Sequence, residues 1–221
     1  ATAEYELIIT DEARLSGVPD AMRKRAGAKA KEQGIAGWLL TLDYPSVEPI
    51  LKYCDDRKLR REIHTAFVTR CRDGAFDNRP LLARILRLRD RIAELLGYDG
   101  FPNYVLEDRM AKTGAQAMSF ERDLVKRTHP FWVRDVDELR TAAAQLGIEE
   151  LSPWDSAYVA EKLRKERYDI DDEILRPYFP LSQVLDGMFE IVRMTFGFSV
   201  TEVDIEEVWH PDVRYYEIFD E

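Results

Sequence analysis

Apolar positions along this chain recur with a helical period far more often than with the alternation of a strand. Leu81, Ile85, Leu88, Ile92 and Leu95 step by four and three residues, which places them on one stripe of a helix that Gly97 stops. Trp132, Val136, Leu139, Ala143 and Leu146 form a second stripe closed by Gly147. Leu181, Leu185, Met188 and Val192 form a third, closed by Gly197. Ser152, Pro153 and Asp155 supply an N-cap, a proline at the first helical position and an acid at the third, so a helix is expected over Pro153–Tyr168. Residues 19–33 are rich in alanine and lysine and end at Gly34, and residues 57–71 carry Leu59, Ile63 and Phe67 at helical spacing; both are expected to be helical. His129-Pro130 interrupts the stretch 115–147, which predicts either two helices or one kinked helix there.

Extended structure is scarce. Residues 36–43, Phe198–Val203 and the aromatic, β-branched stretch 208–219 are the candidate strands. A helical chain that finishes on a strand needs a partner for that strand's backbone groups. Because the sequence reaches Glu221 without a returning strand and opens on Ala1 without methionine, a piece of a longer polypeptide is expected. The fold class is therefore mainly α, multi-helical with a few short β-strands, and residues 1–221 read as one mostly helical region with no internal boundary, repeat or linker.

Composition narrows the function classes. The 221 residues are 45% hydrophobic and 33% charged, an ordinary globular balance that excludes intrinsic disorder. A formal charge of −10 argues against nucleic acid or an anionic membrane as partner, and no apolar run reaches the ~18 residues of a spanning helix. With no secretion signal, a soluble intracellular protein is expected. Cys54 and Cys71 are too few for a disulfide framework and are expected to be reduced.

Candidate chemistry is sparse. His64, His129 and His210 are the three histidines, and they form no His-x-x-x-His pair. On one helix His64 and Cys71 stand ~10.5 Å apart in rise, too far to share a zinc ion. No glycine-rich phosphate loop is present, and a cysteine hydrolase built on Cys54 or Cys71 is remote. The acidic pairs Glu149-Glu150 and Glu206-Glu207 are expected to be solvated, since adjacent residues point apart. The segment Val208-Trp209-His210-Pro211-Asp212-Val213-Arg214 has the composition either of a cleft wall or of a packing anchor for the last strand; anchoring is favoured.

Four stretches carry a family likeness. Gly37-Trp38-Leu39-Leu40-Thr41-Leu42-Asp43-Tyr44-Pro45-Ser46, Pro153-Trp154-Asp155-Ser156-Ala157-Tyr158, Leu175-Arg176-Pro177-Tyr178-Phe179-Pro180 and the 208–214 segment occur in this order and spacing. Together, and over essentially all 221 residues, they resemble the middle of the oligopeptidase A and thimet-oligopeptidase-like family of zinc metallopeptidases. The resemblance implies a segment of the larger zincin-like oligopeptidase fold, from a cytoplasmic zinc endopeptidase that trims short peptides in a deep channel.

The family's zinc site is a His-Glu-x-x-His helix plus a later glutamate, downstream of the matching region and absent from this sequence. No catalytic or metal-ligating role is therefore assigned to any residue here, and no zinc is expected on this chain. The resemblance places 208–219 beside the substrate channel, with His210 and Tyr216 as channel-facing candidates. The implied partners are short peptides and the missing catalytic region, and self-association of the isolated segment through a free strand edge or an apolar patch is expected. The alternative is a non-enzymatic helical module that binds a peptide or protein and accommodates its terminal strand internally, for instance against residues 38–42.

Overall fold

The structure, a computed structural model, describes residues 2–169, 172–205 and 207–220. It divides into two compact units, Ala1–Tyr168 and Asp169–Glu221, and helices dominate both, as the periodicity predicts.

In the first unit a short strand β1 (Leu7–Ile9) pairs antiparallel with β2 (Trp38–Leu40), with Leu7 opposite Leu40 and Ile9 opposite Trp38. Helix α1 (Asp20–Glu32) lies between them in sequence and turns Met22, Ala26 and Ala30 inward, four residues apart on one face. Helix α2 (Tyr44–Tyr53) buries Val47 and Ile50, and α3 (Arg57–Thr69) buries Leu59 and Ile63; the Asp56 carboxylate accepts the Lys58 amide at the start of α3. These elements enclose one core of Ile9, Leu15, Val18, Leu40, Leu42, Ile50, Cys54 and Ile63. The chain enters β2 through Gly37, where it comes closest to the end of β1. Gly37 adopts φ +116°, and a Cβ there would stand 2.2 Å from the Ile9 carbonyl oxygen. Gly37→Ala is expected to destabilise this unit by at least ~1–3 kcal/mol. Gly34→Ala, also at positive φ but facing open space, is expected to cost less, and thermal melts of the two variants check the order.

Helix α4 (Arg79–Leu95) follows, then α5 (Phe101–Leu106) and the 32-residue α6 (Gly114–Gln145). The proline at 130 does not divide the segment: α6 runs through it as a single helix. Helix α7 (Pro153–Tyr168) has the limits that its cap predicts, and Asp155 accepts the Ser152 amide at 3.2 Å. Its Val159 packs with Ala142, Ala143 and Ile148 in a second, smaller core.

The second unit contains α8 (Asp172–Leu175), α9 (Leu181–Phe196), β3 (Phe198–Val203) and β4 (Tyr215–Asp220). Gly197 takes the left-handed conformation at φ 73°, which ends α9 and lets the chain reverse at once into β3. The terminal strand pairs with β3 in register Val203–Tyr215 to Phe198–Asp220. Pairing against 38–42 is thereby corrected, because β2 is taken up by β1. The strand is also shorter than the composition of 208–219 suggests: Pro211 and Asp212 form a turn closed by the Val213 amide on the His210 carbonyl at 3.0 Å.

Candidate functional site

Tyr216 and His210 both belong to the hairpin unit but stand in different environments. On β4, Tyr216 is the half-buried residue and faces α9, where its ring meets that of Phe189 at 5.0 Å between centroids. It lines a cleft with Ser182, Asp186, Phe189, Glu202 and Arg214. The neighbouring Tyr216 hydroxyl, followed by the Glu202 carboxylate, holds the Arg214 guanidinium above its ordinary value. Arg214 Nε lies 3.8 Å from Glu202 Oε1. The cleft thus offers an aromatic wall and a charge pair. Of these residues, sequence reasoning singled out only Tyr216; the cross-strand register that sets Glu202 opposite Tyr216 is what brings the others in.

His210 sits in the exposed turn instead. The Asp212 amide donates to its Nδ1 at 3.2 Å, which makes Nδ1 the acceptor and leaves Nε2–H free to donate. Its ring lies 5.9 Å from that of Trp209, an indole that is 84% exposed. Glu206, one of the acidic pair with Glu207, lies outside the described residues.

The densest polar constellation is in the first unit, where α2 and α3 meet α7. Asp155 and Arg60 are both fully buried, and Arg60 Nη2 donates to Asp155 Oδ1 at 2.8 Å. Arg57 binds the same carboxylate from the solvent side, with Nη2 at 2.8 Å from Oδ2. Arg60 also donates to the Cys54 carbonyl at 2.7 Å and lies 4.0 Å over the Tyr158 ring. Next to it, Asp55 accepts from the Tyr158 hydroxyl at 2.8 Å and from Ser16 Oγ at 2.9 Å. Burial drives the Tyr158 phenol up to about 12, with the Asp55 bond adding to it. For Asp155, burial works upward, but the Arg57, Arg60 and Ser152 donors outweigh it and hold the carboxyl below its ordinary value.

Every charge in this network is answered by a fixed partner, which suits a clasp that locks α7 onto α3 rather than a group poised to react. The sign of its pH dependence follows. The depressed carboxyls of Asp155, Asp55 and Asp56 contribute stability that is fully present above their unfolded-state values near 4 and is lost as pH falls through their lower folded values. Urea midpoints of the chain are expected to stay level from about pH 7 to 5 and to drop steeply below about 4.

Nucleophile and metal chemistry find little support in these residues. Burial raises the Cys54 thiol to about 11, and its Sγ donates to the Arg14 carbonyl at 3.2 Å, so it stands as an unreactive thiol. His64 packs edge-on to Trp154 at 6.0 Å and His129 lies 5.7 Å from the Trp132 ring, each against an aromatic partner and neither beside a cysteine. Among the described residues no group of three or more His, Cys, Asp or Glu is placed to hold a metal ion. Among the described residues the donor set does not fit a zinc centre. No described helix is long and apolar enough to cross a membrane.

A family model described as peptidase family M3 matches residues 50–221. Oligopeptidase A of Salmonella typhimurium is 41% identical over the whole of this chain and 33% of its own length, and oligopeptidase A of Escherichia coli is 40% identical over the same shares. Dipeptidyl carboxypeptidase of Escherichia coli is 35% identical over 97% of this chain and 32% of its own length. The chain spans about a third of the length of these relatives.

Proposed function

The chain belongs to peptidase family M3, and from that premise we propose that it is one section of a cytoplasmic zinc metalloendopeptidase of the oligopeptidase A type, which hydrolyses short peptides, and that alone it is inert. One observation carries this reading: the whole chain aligns with a third of each relative, while its own donors do not assemble a zinc site among the described residues. The zinc chemistry, activation of a water as nucleophile and polarisation of the scissile carbonyl, is assigned to residues outside 1–221.

The roles left to this section are scaffolding and contact with substrate. The Asp155 clasp fixes the helical scaffold. The hairpin presents the Tyr216 cleft and, from its turn, His210 Nε2–H as groups that border the peptide channel. Short peptides and the zinc-bearing region are the partners. Made alone, the chain is expected to self-associate through the free edges of its β3–β4 hairpin, where Ile218 and Phe219 are exposed.

The test is the longer protein produced with this section in place. A fluorogenic peptide should be cleaved, a chelator should abolish the cleavage, and zinc should restore it; chelator-insensitive turnover, or none, would contradict the reading. A second reading, a non-enzymatic helical binding module, is favoured by one observation: β4 finds its partner within the chain. Reading the coding sequence beyond Glu221 separates the two, since a His-Glu-x-x-His supports the peptidase and a stop codon supports the module.

A further inference from the structure

We propose that the cleft between α9 and the β3–β4 hairpin is a subsite for one cationic group of a peptide substrate, with Asp186 as its anionic partner and the rings of Phe189 and Tyr216 beside it. This rests on the peptidase reading, which supplies the peptide.

Two periods build the walls. Ser182, Leu185, Asp186 and Phe189 stand three and four residues apart, so they share one face of α9. Val200 and Glu202 are two apart on β3 and line the same cleft, with Glu202 directly opposite Tyr216 on β4. The cleft measures about 210 Å³, below the roughly 300–1,000 Å³ of a pocket for a whole small molecule. It has room for one side chain. Leu185, Phe189, Val200 and the half-buried Tyr216 ring give it an apolar surface beside charged groups, which suits a guest with an apolar body and a charged tip.

The fixed charges give the sign of that tip. Arg214 has Glu202 at 3.8 Å and the Tyr216 hydroxyl beside it. Asp186 lines the same cleft but makes no hydrogen bond or ion pair with any described residue. Two carboxylates against one guanidinium leave the lining net negative, and Asp186 is the unanswered charge. A carboxylate guest would have to compete with Glu202 for Arg214 and lie near Asp186, which disfavours it. An ammonium or guanidinium group instead gains a charge-assisted bond to Asp186 and the attraction of two nearby rings. Lysine and arginine side chains and a peptide's own amino terminus share this chemistry.

Calorimetric titration of the longer protein tests this, with its metal stripped by a chelator so that peptides bind without being cleaved. The probes are alanine-glycine hexapeptides carrying lysine at each position in turn, their norleucine counterparts, which keep the stem and lose the charge, and N-acetylated versions of both. The charged member of one pair is expected to bind about five- to tenfold more tightly. A gain over norleucine assigns the cleft to a lysine side chain, and a gain lost on acetylation assigns it to the amino terminus. Asp186→Asn should abolish the preference and Asp186→Glu should keep most of it. Equal binding throughout overturns the proposal, as does a preference that Asp186→Asn leaves intact or tighter binding of glutamate-bearing peptides. Zinc-restored turnover without any such preference sinks this inference alone, whereas the preference without metal-dependent turnover sinks the peptidase reading alone.

Discussion

Asp155→Ala is expected to destabilise the first unit by about 3–5 kcal/mol, the range for removing one partner of a buried ion pair. The carboxylate is fully buried, receives bonds from Arg60, Arg57 and the Ser152 amide, and caps α7 at the same time. Its loss leaves the Arg60 guanidinium in the interior with only the Cys54 and Asp55 carbonyls and the Tyr158 ring for company. Arg60 Nε already lacks a hydrogen-bond partner among the described residues, so the site has no spare acceptor to offer. Denaturant unfolding measures the loss. The double variant Arg60→Met/Asp155→Leu separates a stranded charge from a merely lost contact: with the charge gone, most of the stability should return. A single variant that unfolds like the parent would show that the pair is not buried in solution.

The second large effect is on activity. Peptide hydrolysis by the 221-residue chain with added zinc is expected at the uncatalysed rate, against the rate enhancement of 10⁶ or more that is typical of enzymes for the longer protein. The expectation follows from the chemistry of the donors. A hydrolytic zinc needs three protein ligands converging on one point, and the three imidazoles here each lie against a different aromatic ring. Cys54 offers no substitute route, because burial keeps its thiol protonated. Turnover that co-purifies with the chain and disappears with a chelator would contradict the assignment of catalysis to residues outside it; turnover blocked by a thiol reagent would contradict the reading of Cys54.

Much of the helical frame was legible because its ends are marked chemically. Gly97, Gly147 and Gly197 all adopt positive φ, as residues that terminate apolar stripes are expected to, and the Ser152-Pro153-Asp155 start places α7 at its observed limits. What escaped the sequence was non-local. Helix α2 carries Pro45 and Pro49 and has a poor intrinsic signal; it forms because Ser46, Val47 and Ile50 are buried. Strand β1 is three residues long and exists through its register with β2.

Nor does any local pattern announce that Arg57 and Arg60 meet an aspartate nearly a hundred positions away. The stripe on α4 was visible as a stripe, but period alone cannot say what lies against it. In the hairpin, Tyr216 and His210 were marked by the same resemblance, and only the backbone separates a half-buried cleft residue from one in an exposed turn.

The most direct measurement is equilibrium dialysis of the purified 221-residue chain against zinc, with bound metal quantified by mass spectrometry after removal of weakly held ions. The account predicts less than one tenth of an equivalent retained, roughly the level of surface adsorption. One equivalent of tightly held zinc, lost on replacing histidines or carboxylates between Ala1 and Glu221, would contradict it.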